Sequence, residues 1–384
     1  MGKLKLLLRI LFFSKKILKR PKNVEILMYD DIHQSIFKSF FKNNSFDAFD
    51  IRFNEINIII LLKIIIFKGI KNILYNYSLE YIKIVNPKIV INFLDTRIDF
   101  YKLKKNFKNM KFVSIQFAYR ANKYPDIFQT LKLIKEKNLT CDYIFCFSNS
   151  VGKEYLKYID TKIISLGSFR NNIYLPNFKK KRLEIKKRIS FISQYRRPIK
   201  DSERSLHKIN MIDRNEFYLP EKVCLPIVQN LSFRHNFEFS IIGCSKNEDD
   251  LELNFFKKIL NNNNFKFFKP KNDYDSYKEC YESEIIVFID STLGYEAISA
   301  GKKAISINSR KPFYDVVSGF GWPFENELKG EFWTNDHSSS EIERIFNYIV
   351  NVSSEEWNIN VNEFKKNILN FNENNSLLLE KLEL

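Results

Sequence analysis

Residues 285–308 read IIVFIDSTLGYEAISAGKKAISIN, and no other stretch narrows the fold of this chain so far. An apolar run at 285–289 ends in Asp290. Ser291 and Thr292 can cap a helix over 293–300, Gly301 closes it, and a second apolar run starts after Lys302 and Lys303. Strand, tight turn, helix and strand make the crossover of a parallel sheet. Ligands of such sheets bind beyond the carboxyl ends of the strands, against helix amino termini. The pattern therefore sets Asp290, Ser291 and Thr292 against a phosphate, with Glu296 one turn further along the same helix. Any α/β connection also needs strand ends, caps and a glycine after its helix, so the motif alone leaves both readings open.

A chain of 384 residues can bury two substantial cores, and two domains are expected. Its net charge of +17 attracts nucleic acid, anionic membrane or phosphorylated small molecules without choosing among them. No RRM, KH, zinc-finger or helix-turn-helix signature is present, which argues against nucleic acid. The five cysteines show no C-x-x-C pair, a usage that suits buried thiols in a reducing compartment. The four histidines lie far apart, and no metal site is expected. Residues 1–20, MGKLKLLLRILFFSKKILKR, carry an apolar run too short to span a bilayer. As a basic apolar helix it would lie on an anionic membrane surface with its lysines snorkelled, or cover a groove of its own domain.

Apolar runs at 24–28, 49–53, 88–93, 111–116, 143–147 and 162–166 read as strands separated by helices, one of them buried over 58–77. They predict a Rossmann-like N-terminal domain over 21–170. Residues 171–188, NNIYLPNFKKKRLEIKKR, hold few apolar anchors and read as a linker with the cleft beside it. A second Rossmann-like domain follows over 189–350, with strands at 189–193, 238–242, 265–268, 285–289 and the run ending at 308. Helices at 351–384 can cross back to brace the first domain. The aromatic, glycine-containing stretch after Asn308 suits a loop folded over a site.

Candidate ligand groups gather at the predicted strand ends. In the second domain these are Gln194, Arg196, Arg197, Gly243, Asp290, Ser291 and Thr292, where guanidinium forks and helix amides suit a phosphate. Glu296 can accept from ribose hydroxyls. In the first domain Asp30, Asp31, Asp95 and His33 are candidates for a base, with Asp31 preferred, and Arg97 and Arg120 stand on the same side. A base must reach to about 3 Å of the attacking oxygen in a transfer to a hydroxyl. The absence of G-x-x-x-x-G-K-S/T and of G-x-G-x-x-G argues against a P-loop NTPase and a dinucleotide dehydrogenase.

The segments IVINFLDTRIDF, KFVSIQFAYR, CDYIFCFSNSVGKEYLKYI, IISLGSFRNN, ISFISQYR and FIDSTLGYEAISAGKKAI resemble glycosyltransferases of the GT-B architecture, and more closely bacterial lipopolysaccharide and capsule biosynthesis proteins. The resemblance implies two Rossmann-like domains facing each other across a cleft, with a nucleotide sugar held by the C-terminal one. It implies donor contacts at Asp290, Ser291, Thr292 and Gly294, with Glu296 engaging ribose or sugar and Lys302 following the helix. Phe117-Ala118 stands where many relatives have Asn-Gly, and Tyr29-Asp30-Asp31 replaces a glycine-rich first loop. The expected activity is metal-independent glycosyl transfer, inverting through an N-domain carboxylate, onto a lipid-linked or other surface-glycan acceptor at the cytoplasmic face of the inner membrane. CMP-linked ulosonic acids are among the donor classes implied. A nucleotide-sugar 2-epimerase and a non-catalytic, membrane-associated carbohydrate-assembly protein are the alternatives.

Overall fold

The computed structural model describes residues 12–120, 126–134, 138–195, 218–246, 249–308, 319–324, 327 and 329–384. The first lobe contains β1 (Lys15–Ile17), β2 (Ile26–Met28), β3 (Phe46–Ala48) and β4 (Glu55–Asn57), then β5 (Ile89–Asn92), β6 (Lys111–Ile115), β7 (Thr140–Cys146) and β8 (Asp160–Ser165). Six of these form a parallel sheet in the order β3-β2-β5-β6-β7-β8, while β1 and β4 pair separately. Its inner strands β2 and β5 are short and almost wholly apolar, as expected where helices cover both faces.

The second lobe contains β9 (Lys186–Ile192), β10 (Glu238–Ile242), β11 (Lys266–Phe268), β12 (Ser283–Phe288), β13 (Lys303–Ile307) and β14 (Trp333–Thr334). They align in parallel as β11-β10-β9-β12-β13-β14. The order reverses between β9 and β12, which opens a crevice at the carboxyl ends of those two strands. These are the two Rossmann-like lobes that the sequence implies.

Among the described residues the chain crosses between the lobes twice. Helix Phe169–Lys181 leaves β8 with Phe169 in the first lobe's core, then packs Leu175 and Phe178 on Tyr277 and Tyr281 of the second. Helix Ser354–Asn367 packs Trp357, Val361 and Phe364 into the second lobe, and helix Ser376–Leu382 returns Leu378 and Leu382 to the first.

Several local expectations change. Residues 1–11 of the anticipated N-terminal helix lie outside the described residues; Phe12 and Phe13 are helical, and the chain is extended from Lys15. Lys15–Ile17 pairs in parallel with Glu55–Asn57, and Lys15 bonds Glu55 at 2.7 Å. The strand edge of Glu55–Asn57 satisfies the backbone groups of Lys15–Ile17. The strand expected at 49–53 lies three residues earlier. Phe49, Ile51 and Phe53 are buried from a loop instead, because Asp50 turns the chain by accepting the amides of Arg52 and Glu55 at 2.8 and 3.0 Å. The helix expected over 58–77 is two helices, Ile58–Lys68 and Ile73–Val85, parted where Gly69 and Asn72 take φ of 68° and 53°. Most of the stretch read as a linker is helical. Its inward positions include Asn171 and Asn172, which disguised the buried face as polar. Of the loop expected over the site, 309–318 lies outside the described residues.

Candidate functional site

The exits of β2 and β8, in the first lobe, face those of β10 and β11 across a cavity of about 300 Å³. His33, Arg170, Tyr174, Lys246, Asn272 and Tyr274 line it. His33 takes φ 61° after β2, which turns its ring into the cleft edge-on to Phe93 at 5.8 Å and tilted against Phe117 at 5.2 Å. The Arg170 guanidinium lies 4.8 Å from the centre of the Phe117 ring and 5.8 Å from that of Tyr277. Cation–π contact with two rings orients its fork. Tyr174 meets Tyr274 edge-on at 5.5 Å. Asn272 is held by a capping box with Asp275 at the start of helix Asp273–Glu282. Three basic side chains and several neutral donors, with no carboxylate in the lining, suit an anionic ligand. Among the described residues no group of three or more His, Cys, Asp and Glu could hold a metal ion.

Next to this cavity is the crevice between β9 and β12. The Asp290 amide donates to Gln194 Oε1 at 3.4 Å, which ties the two strand exits together. Ser291 begins helix Thr292–Ser299 without a side-chain cap bond. The Thr292 hydroxyl accepts the Tyr119 amide from the first lobe at 3.0 Å, and Tyr119 stacks on Tyr295 with ring centroids 3.7 Å apart. The start of this helix is thus partly closed by protein. Arg196 and Arg197 lie outside the described residues.

Other expected donor contacts point elsewhere. Glu296 is fully buried; its carboxylate accepts the Ser168 hydroxyl and, at 2.6 Å, the Tyr277 hydroxyl. The Asn171 amide adds a bond to the Glu296 carbonyl at 3.2 Å. This acid braces the lobes. Through Tyr277 it stands behind Arg170, and burial, Arg170 and Glu296 all act on the Tyr277 phenol, whose pKa is raised well above the ordinary value. Gly294 fits against the Phe288 ring, which a Cβ would meet at 2.1 Å, so it serves helix–strand packing. Gly243 is similarly close to Phe267 and to the Phe268 carbonyl. Beyond it, the amides of Cys244 and Ser245 donate to Glu252 at 3.0 and 2.9 Å, and Ser193 bonds the same carboxylate at 2.5 Å. An internal anion therefore occupies that nest of amides. Lys302 precedes β13, at the end of the strand away from the cleft, and donates to the Tyr281 carbonyl at 3.0 Å. Burial lowers its pKa.

The first-lobe acids divide. Asp95 is fully buried and accepts from Arg120, Tyr155 and the Phe117 amide. Burial opposes the charge on Arg120, but Asp95, Tyr155 and Asp126 outweigh it and keep this arginine ionised. Asp30 is also buried and accepts Arg52 at 2.6 Å and the Ile32 amide at 2.8 Å. Arg52 reaches Asp31 at 3.4 Å. Asp31 stays part-exposed, its pKa raised first by burial and then by Asp50, with Arg52 opposing. Arg97 pairs with Asp99 at 3.3 Å. Of the four acid–base candidates, His33 is the one in the cavity lining.

The sequence reading passed over Arg170, Tyr174, Lys246, Asn272 and Tyr274. Arg170 could have been found, since it follows the exit of β8 as the chosen candidates follow theirs. Nothing local marks Tyr174 or Tyr274.

A family model described as "putative O-antigen biosynthesis protein" matches residues 113–383. Among curated proteins none matches this chain in sequence. Solved structures similar in fold include the UDP-GlcNAc 2-epimerase of Methanocaldococcus jannaschii in complex with UDP-GlcNAc and UDP. It is 11% identical with a TM-score of 0.54, over 93% of this chain and 98% of that one. The UDP-GlcNAc 2-epimerase of Neisseria meningitidis bound to UDP-GlcNAc is 14% identical with a TM-score of 0.54, over 94% and 91%. The wall teichoic acid polymerase TagF is 10% identical with a TM-score of 0.53, over 99% and 94%.

Proposed function

Because the chain belongs to the O-antigen biosynthesis family whose model covers residues 113–383, we propose that it is an enzyme acting on a nucleotide-activated sugar in surface-carbohydrate assembly. The cavity between the lobes carries this reading, since Arg170 and Lys246 meet there with His33. Arg170 and Lys246 would hold the donor's phosphate oxygens, with the crevice between β9 and β12 alongside for the rest of the nucleotide.

One reading of this lining is glycosyl transfer. His33 would take the proton of an acceptor hydroxyl, whose oxygen attacks the anomeric carbon as the bond to the nucleotide phosphate breaks. Arg170 and Lys246 would stabilise the charge gathering on that phosphate. Asp31, part-exposed and two residues before His33, is the second candidate base. A lipid-linked acceptor at the cytoplasmic face of the inner membrane would suit the strongly basic chain. The likeness in fold to two UDP-GlcNAc 2-epimerases, end to end, favours a second reading, 2-epimerisation of the nucleotide sugar itself. That reaction needs acid–base groups on the sugar ring, and would take them from His33 and from residues brought in when the lobes close.

Titration calorimetry with UDP-, CDP- and CMP-linked sugars tests the shared part. Arg170→Ala and Lys246→Ala should each weaken binding about tenfold or more, the usual scale for losing a charge-assisted contact. Wild-type affinity in both variants would overturn the site, and a chain that binds none of these donors would overturn the function. Chromatography of the sugar nucleotide after incubation then separates the reactions. An epimerised donor without acceptor means epimerase, and a donor consumed only with a glycan acceptor means transferase.

A further inference from the structure

Helix Ile58–Lys68 is apolar at every position but Lys63 and Lys68, on its outward as well as its inward side, yet it lies at the surface. Ile60, Leu61 and Ile64 are buried in the first lobe, while Ile59, Leu62, Ile66 and Phe67 face outward, the last two 72% and 77% exposed. Ile70, just past the helix, is also exposed. A helix that carries apolar side chains outward as well as inward belongs in a core or against lipid, and a folded chain rarely leaves so large a patch in water. With 11 residues it is about 16 Å long, too short to cross a bilayer. Among the described residues no helix is long and apolar enough to do so.

Most charges around this face are basic. Lys63, Lys68 and Lys71 are exposed on and after the helix, and no acid occurs from residue 58 to residue 79. The preceding strand β4 pairs with β1, which brings in the exposed Lys15, Lys16, Lys19, Arg20 and Lys22, a stretch that also lacks acids. Leu18 adds a further exposed apolar side chain there. Glu55 and Glu80 are already paired with Lys15 and Lys63. Apolar side chains bordered by an excess of cations complement an anionic lipid surface, into which the former insert while the latter meet headgroups.

We propose that the outward face of helix Ile58–Lys68 inserts into the interface of an anionic membrane, with the basic 15–22 segment beside it on the headgroups. The contact thus lies on the lobe that carries His33. This assigns apolar insertion to a helix well inside the chain, with residues 15–22 supplying headgroup contacts beside it. It does not depend on which sugar reaction the cleft performs.

Co-sedimentation of the full chain with phosphatidylcholine vesicles, with and without phosphatidylglycerol, tests the proposal in the absence of any sugar nucleotide. The wild type should bind the anionic vesicles, and Ile66→Glu with Phe67→Glu should lower partitioning at least about tenfold with an unchanged melting temperature. Lys68→Glu with Lys71→Glu should lower it too and flatten its salt dependence. If the first pair does not fold, Ile59→Gln with Leu62→Gln replaces it. Wild-type partitioning by the folded apolar and charge variants, or no binding of the wild type to anionic vesicles, overturns the proposal. A wild-type dimer that the apolar variants dissolve, without vesicle binding, overturns it in favour of a second copy of the chain. Nucleotide-sugar titration of the same variants reports separately on the cleft.

Discussion

Replacing Glu296 should unfold the protein more readily before it does anything else. Its side-chain carboxylate is fully buried and accepts two hydroxyls, from Ser168 in the first lobe and Tyr277 in the second. Hydrogen bonds to a charged group contribute about 1.5–3 kcal/mol each, and removing one partner leaves the other buried and unsatisfied. Glu296→Ala should therefore cost roughly 3–5 kcal/mol, about the sum of two such bonds with both hydroxyls left buried. The backbone bond from Asn171 to the Glu296 carbonyl survives the substitution. At about 2–4 °C per kcal/mol for lobes of this size, the melting temperature should fall by roughly 6–20 °C. Glu296→Gln keeps the shape and one acceptor and should lose about half as much. Ser168→Ala and Tyr277→Phe should each couple to Glu296→Ala by about 0.5–3 kcal/mol in a double-mutant cycle. Scanning calorimetry gives the stabilities, and nucleotide-sugar titration below the transition gives the affinity. An alanine variant that melts within about 2 °C of the wild type but binds donor tenfold more weakly would refute the bracing role and make Glu296 a ligand contact.

Two further outcomes follow from the geometry. Asp31 has a folded-state pKa above its ordinary 3.8, so its ionised form is disfavoured in the fold and the chain loses stability as pH rises through that raised value. Asp31→Asn should match the wild type in melting temperature near about pH 3.5 and exceed it near about pH 7, and a difference that is constant or negative across that range would contradict this. Gly294→Ala would place a Cβ 2.1–2.4 Å from three atoms of the Phe288 ring. The overpacking should cost about 1–3 kcal/mol in urea unfolding, and a change below about 0.5 kcal/mol would show that the ring is not there.

Continuous apolar runs, each followed by a polar exit, were enough to read two parallel sheets and the edge on which a ligand would sit. That follows from short-range physics, since a strand buried on both faces must be apolar along its length. His33 was found by its place after β2, and the organising stretch gave β12, its helix and β13 nearly to the residue. What a strand exit does with its side chains is settled by partners remote in the chain. Glu296 looked like a ligand contact because it lies one turn into the right helix, but Ser168, 128 residues away in sequence, claims its carboxylate. Asp95 was chosen by the same rule and is held by Arg120 and Tyr155, and Gly243 is followed by amides that Glu252 already occupies. Arg170 went unnoticed because its helix reads as a charged linker until both lobes close on Phe169, Leu175 and Phe178. Apolar pattern along the chain determined which segments are strands and at which end of each sheet the polar exits gather. Only tertiary packing decided which of those polar groups are paired internally and which face the cleft.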